Sequence, residues 1–94
     1  MPNIAVSLLA VAAIVLEALD VLSTQRMLAR GGHEANPIVA WFMQVLGDAW
    51  PVCKLPEIIL IVIVWKQAPR PIALIVLGAA VAAYSFVVWY NYQI

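Results

Sequence analysis

The chain has 94 residues, 66 % of them hydrophobic and only 11 % charged, with a mean hydropathy of +1.00. Soluble domains run at about 45–50 % apolar and 25 % charged, and a chain this short buries only about 60–65 % of its surface when folded alone. The composition therefore argues against a water-soluble globule and makes the lipid bilayer the expected surroundings. Five basic and five acidic side chains cancel to zero, which removes the charge argument for nucleic acid as a partner.

The first apolar run extends from Ile4 to Leu22 and is expected to stay helical to Leu28, where Arg30, Gly31 and Gly32 supply a basic last turn and a glycine stop. Met1-Pro2-Asn3 lacks the basic region of a signal peptide, so the run is expected to be a retained membrane helix. Its small and polar positions, Ala10, Ala13, Glu17, Asp20 and Thr24, are spaced three, four, three and four, which places them on one seam. Leu8, Leu9, Val11, Ile14, Val15, Leu19 and Leu22 fall on the other faces and are expected to meet lipid.

Pro37 to Leu46 is apolar except for Gln44, with Asn36 as its cap, and at about 1.5 Å per residue it reaches some 15 Å, half a bilayer core. Gly47 to Pro51 reads as a turn in which Asp48 caps a helix running to Trp65 or Lys66, kinked at Pro56. Pro71 to Ile94 contains 24 residues and no charge, enough to cross a bilayer. Within it Gly78 and Ala82, with Ser85 a turn further on, suit close approach to a neighbouring helix, and Trp89, Tyr90 and Tyr92 resemble an aromatic belt. Trp41, Trp50 and Trp65 read as interfacial anchors. Cys53, the only cysteine, reads as a small buried hydrophobe and excludes an internal disulfide.

The expected fold is a single all-α integral membrane domain over residues 1–94, a compact helical bundle of three long transmembrane helices plus one short, half-length helix. A hairpin in the middle would gather Arg26, Arg30, Lys66 and Arg70 on the cytoplasmic side, with both termini outside. A surface position for Pro37 to Leu46 would divide them two and two.

Glu17, Asp20, Lys54 and Glu57 lie at membrane depth, where an ionisable side chain costs at least about 2.5–3.5 kcal/mol, so their presence needs a reason. Each pair shares a helix face at i,i+3. If the helices are neighbours, Lys54 neutralises one carboxylate, Thr24, Asn36 or Asn91 supplies hydrogen bonds, and two negative charges remain in excess. Such a cluster serves either as a register-fixing network or as a proton or cation site. Glu17, deepest and without a basic partner in sequence, fits the network worst. His33, Glu34 and Asp20 could form a mixed N/O metal site only if the loop folds back, and no HxxH or HExxH spacing supports it. A bound cation is compatible with this cluster, and no cofactor is expected.

Asp20, Ser23-Thr24, Gly31-Gly32, Glu34-Ala35-Asn36-Pro37 and Lys54 together resemble a domain-of-unknown-function family of small prokaryotic membrane proteins, over Leu16 to about Val64. The resemblance implies a shared polar site at Asp20, Thr24, Glu34, Asn36 and Lys54 in a multi-pass inner-membrane protein, and no activity. Glu17, Glu57 and His33 fall outside that pattern. Asn36 is expected to cap the short helix while Glu34 points back toward Arg26, Arg30 or Lys54, so that the connection covers the site like a lid.

Three functions follow as expectations. The first is an accessory, interaction or self-associating membrane subunit, a homo-oligomer or part of a larger complex, with the acidic cluster as its internal network. The second is an oligomeric proton- or cation-linked transporter or channel using Glu17 or Asp20. The third is a small membrane enzyme acting on a lipid head group; the chain has no nucleophile elbow, P-loop or zinc-hydrolase helix, and the balance leans away from an enzyme.

Overall fold

The computed structural model describes residues 3–94. Met1 and Pro2, which entered the expectation about a leader, lie outside them. Helix α1 spans Ile4–Ala29 and begins where Asn3 Oδ1 accepts the Ala5 N–H at 2.8 Å. It stops as the sequence predicts. Gly31 adopts φ +85°, its N–H donates to Leu28 O at 3.1 Å, and the Gly32 N–H donates to Met27 O at 3.0 Å, the paired bonds of a Schellman stop. At Gly32 a Cβ would come within 2.7 Å of the Met27 side chain, so the turn closes only on glycine or with Met27 displaced.

Helix α2, Pro37–Leu46, starts with proline in its first turn and with Asn36 Oδ1 accepting the Ile38 and Val39 N–H groups at 2.9 and 3.5 Å. Gly47, at φ +58°, turns the chain into a 3-10 segment over Gly47–Lys54, and α3 follows over Leu55–Gln67. The expected long, kinked third helix is thus not formed. Pro51 and Pro56 both lack an N–H, so Gly47–Lys54 takes the tighter coil, and Pro56 stands in the first turn of α3, where it costs no hydrogen bond. Asp48 is exposed in the 3-10 segment and caps no helix, while Trp50 is buried and anchors that segment. Helix α4 spans Arg70–Asn91.

Two helices, α1 and α4, are long and apolar enough to cross a membrane; α3 has 13 residues and is too short to do so alone. The seam of α1 is as its spacing predicts: Ala10, Ala13, Glu17, Asp20 and Thr24 are buried, joined by Val6, Ser23 and Met27. Leu8, Val11, Val15 and Leu22 are exposed, whereas Leu9, Ile14 and Leu19 are half-buried.

The helix directions differ from the hairpin expectation. Val6, Ala10 and Ala13 of early α1 pack with Ile61 of α3 and with Ala73 and Leu77 of early α4, and Trp65 Nε1 donates to Ser7 Oγ at 3.0 Å. At the other end of α1, Asn91 of α4 bonds Ser23 and Thr24, and Arg26 donates to Ile94 O at 3.0 Å while lying over the Tyr92 ring. Helices α1 and α4 therefore run parallel and pack on each other, and α3 runs antiparallel to both. Lys66 and Arg70 fall at the end where α1 starts, Arg26 and Arg30 at the opposite end, so the four basic residues divide two and two.

Because Ala10 and Ala13 have no exposed surface, the close approach of α1 to α4 depends on their size. Ala13→Leu should lower the unfolding free energy by about 1–3 kcal/mol. Val11→Leu, on the exposed face, should stay within about 0.5 kcal/mol of the parent. Denaturation of the purified variants in detergent, followed by circular dichroism, checks both.

Candidate functional site

The short α3 determines where the polar residues meet. Its 13 residues, at about 1.5 Å each, reach from the level of Ser7 only as far as Asp20. Beyond Lys54 no helix fills the space beside late α1 and late α4, and a cavity of about 350 Å³ occupies it. Its floor is Asp20, Lys54 and Glu57. One wall is the loop His33–Asn36 with Val39, and the other is α4, from Tyr84 through Phe86, Val87 and Tyr90 to Asn91.

The floor is held by one ion pair. Lys54 Nζ lies 3.0 Å from Asp20 Oδ2 and 3.9 Å from Glu57 Oε2, with the Lys54 and Asp20 side chains 11 % and 7 % exposed. A buried pair needs its remaining lone pairs filled. Thr24 Oγ1 donates to Asp20 Oδ1 at 3.2 Å, and both hydrogens of the Asn91 amide are used, on Ser23 Oγ at 3.1 Å and Thr24 Oγ1 at 3.0 Å. The Ser23 hydroxyl in turn donates to Asp20 O at 3.1 Å. The chain Lys54, Asp20, Thr24, Asn91, Ser23 thereby joins the start of α3 and the end of α4 to α1.

Glu17 lies one helical turn deeper than Asp20 and is outside that chain. The residue is 1 % exposed, and neither carboxylate oxygen accepts a hydrogen bond among the described residues. Its carboxyl lies beside the Glu57 carboxyl and the Tyr84 hydroxyl, both of which belong to the cavity lining. Glu57 Oε2 is likewise buried without a donor. Three carboxyl groups thus surround one ammonium, and that ammonium is drawn to Asp20. The arrangement has acceptors to spare and lacks positive charge, which is what a proton or a cation would supply.

Glu17, Asp20, Thr24, Lys54 and Glu57 come together as their spacing predicts. Glu34 and Asn36 line the mouth of the cavity, but Glu34 Oε1 accepts the Asn36 N–H at 3.0 Å and forms no ion pair with Arg26, Arg30 or Lys54 among the described residues. The backbone bond is local, and Arg26 is taken up by Ile94 and Tyr92. Asn36 serves α2 as its cap, and Asp20 receives its hydrogen bond from Thr24 instead.

His33 is exposed at the rim, and among the described residues no three His, Cys, Asp or Glu side chains converge as metal ligands, so His33, Glu34 and Asp20 do not form the mixed metal set. Gly78, Ala82 and Ser85 face away from the interior: a Cβ on Gly78 would meet nothing within 4 Å, and Ala82 and Ser85 are exposed. Sequence reasoning missed Tyr84. The signal was present in the spacing of Ala73, Leu77, Tyr84 and Asn91, which keeps to one face of α4.

Removing Lys54 strands a buried carboxylate. Lys54→Met should destabilise the protein by about 3–5 kcal/mol, and adding Asp20→Asn to it should restore much of the loss, because the double variant buries no unpaired charge at Asp20. Equilibrium unfolding of the single and double variants provides the comparison.

No curated protein and no solved structure matches the chain. Residues 11–94, α1 from Val11 onward and everything after it, match the family model described as Domain of unknown function (DUF5658), and the chain belongs to that family.

Proposed function

We propose that this chain is an integral membrane protein whose acidic site takes up a proton or a cation, as a proton- or cation-linked transport subunit. The observation that carries this reading is Glu17, fully buried, accepting no hydrogen bond among the described residues, and one side chain behind the cavity floor that already carries Glu57. A network whose only task is register would be expected to satisfy each buried carboxylate.

The membrane setting is supported by lengths and surfaces. The level of Trp65 and Lys66, at Ser7, is 19 residues along α1 from Arg26, about 28 Å at 1.5 Å per residue, close to the roughly 30 Å of a bilayer core. The outward faces of α1 and α4 between those levels are apolar, with Leu8, Val11, Val15, Leu22, Ile75, Val76 and Phe86 exposed. In this reading the chain crosses three times, the middle crossing being shared by α2, the 3-10 segment and α3. Glu17 then sits at the bilayer midplane, ten residues from Ser7 and nine from Arg26. A carboxylate there is a functional feature by default.

One protomer is too small to enclose a path. The outward Gly78, Ala82 and Ser85 stripe supports self-association through α4, since small residues let helix backbones approach in lipid. That oligomer is also what the interaction reading requires, so the two functions share a surface. No feature of the cavity favours chemistry on a lipid head group over binding.

In proteoliposomes carrying a trapped pH dye, an imposed potential or sodium gradient should drive luminal pH change with the wild-type protein. Glu17→Gln should reduce it to the level of empty vesicles and Asp20→Asn should slow it. Equal flux through all three proteins would refute the acidic site as the conducting group.

A further inference from the structure

We infer that the cavity binds a small organic ammonium ion carrying an apolar chain, with the head group at Glu57, in front of the buried Glu17, and the chain along Phe86, Val87 and Tyr90. This deepens the proposed cation site and rests on it.

Size is the first argument. At about 350 Å³ the cavity is more than ten times the roughly 30 Å³ of a water molecule and at the lower end of the pockets, about 300–1,000 Å³, that hold small organic ligands. A bare inorganic ion would leave most of it unfilled. The donor set points the same way. A hard divalent cation takes six or more oxygens, whereas an ammonium needs only a few acceptors and an electron-rich face.

Charge gives the sign of the ligand. The groups facing the cavity floor are Asp20, Lys54, Glu57 and Tyr84, with Glu17 behind them and Glu34 and His33 at the mouth. Lys54 is held by Asp20 at 3.0 Å, so the charge left for a ligand belongs to the half-exposed Glu57 side chain, backed by the buried Glu17. An anionic head group would meet Glu57 and Glu34 before Lys54. A positive one meets carboxylates, with the rings of Tyr84 and Tyr90 beside them to receive it.

The asymmetry of the walls gives the ligand its second end. Across from the polar floor, Phe86, Val87 and Tyr90 line the cavity on α4 and are 62 %, 37 % and 48 % exposed, so the aromatic wall continues onto the outer surface of the helix. An apolar chain lying on that wall leaves the cavity sideways, between α4 and the His33–Asn36 loop, and in a bilayer it would pass directly into lipid. A ligand that is charged at one end and apolar at the other satisfies floor, wall and exit together.

The test is calorimetric titration of the protein in nanodiscs, against empty nanodiscs, with hexylammonium, hexanol and sodium chloride as separate probes. Hexylammonium should bind saturably at one site per chain, hexanol should not saturate, and sodium should compete weakly or not at all. Glu57→Gln and Tyr90→Ala, both at positions with solvent-exposed surface, should each weaken hexylammonium roughly tenfold or more while leaving the helical circular dichroism unchanged. Glu17→Gln should weaken it as well. Hexanol binding as tightly as hexylammonium would overturn the inference by making the site a greasy cleft, as would variants indistinguishable from the parent. Glu17-dependent flux in vesicles without hexylammonium binding would overturn this inference alone and leave the proton or inorganic-cation site standing.

Discussion

Asp20 and Lys54 meet at 3.0 Å in the interior, and the path of the whole middle of the chain depends on that contact. Lys54 is the last residue of the 3-10 segment, so fixing it to α1 sets the depth at which α3 can begin. From there α3 has room for 13 residues before Trp65 reaches Ser7 and the chain turns into α4. A pair of this kind does little for net stability, because two charges lose their hydration to make one contact. It is selective instead. Any other register of α3 on α1 would leave an ammonium and a carboxylate buried apart, and the hydrogen bonds from Thr24 and Asn91 tie the end of α4 to the same point.

The cavity is a consequence of that register. Three helices pack around Val6, Ala10, Ala13, Ile61, Ala73 and Leu77 at one end, and only α1 and α4 continue to the other. The volume that a longer third helix would have filled is bordered by the ion pair, by Tyr84 to Asn91, and by the loop that Gly31 and Asn36 shape. Glu17 then stands at the boundary between the packed and open halves, accepting no hydrogen bond among the described residues. The same truncation that weakens the packing gives the acidic residues somewhere to face.

The seam of α1 could be read from sequence because it obeys a single period: small residues where helices touch, polar ones where the site lies, and apolar side chains elsewhere. The glycine stop and the Asn36 cap were legible for a similar reason, since each is a local rule carried by a few neighbouring residues. Helix direction was not. Counting Arg26, Arg30, Lys66 and Arg70 on one side assumed that Pro37–Leu46 is the short leg of a hairpin with the longer helix after it, whereas α2 packs chiefly on the 3-10 segment and α4 runs parallel to α1. The length of α3 was hidden by Pro51 and Pro56, whose missing N–H groups move the helix start to Leu55 rather than bend a longer helix. Tyr84 was hidden for another reason. In a helix apolar all round, one tyrosine among many outward aromatics carries no sign of facing inward until its neighbours are known.

The central claim is that Glu17 and Glu57 form an acidic pair, short of positive charge, with Glu57 facing the cavity and Glu17 directly behind it. Modification by an apolar carbodiimide, located by mass spectrometry with and without a competing cation, addresses it directly. Adducts should form at Glu57 and Glu17 and be suppressed by hexylammonium. Adducts confined to Glu34 and Asp48, or formation at Glu17 and Glu57 that no cation diminishes, would contradict the claim.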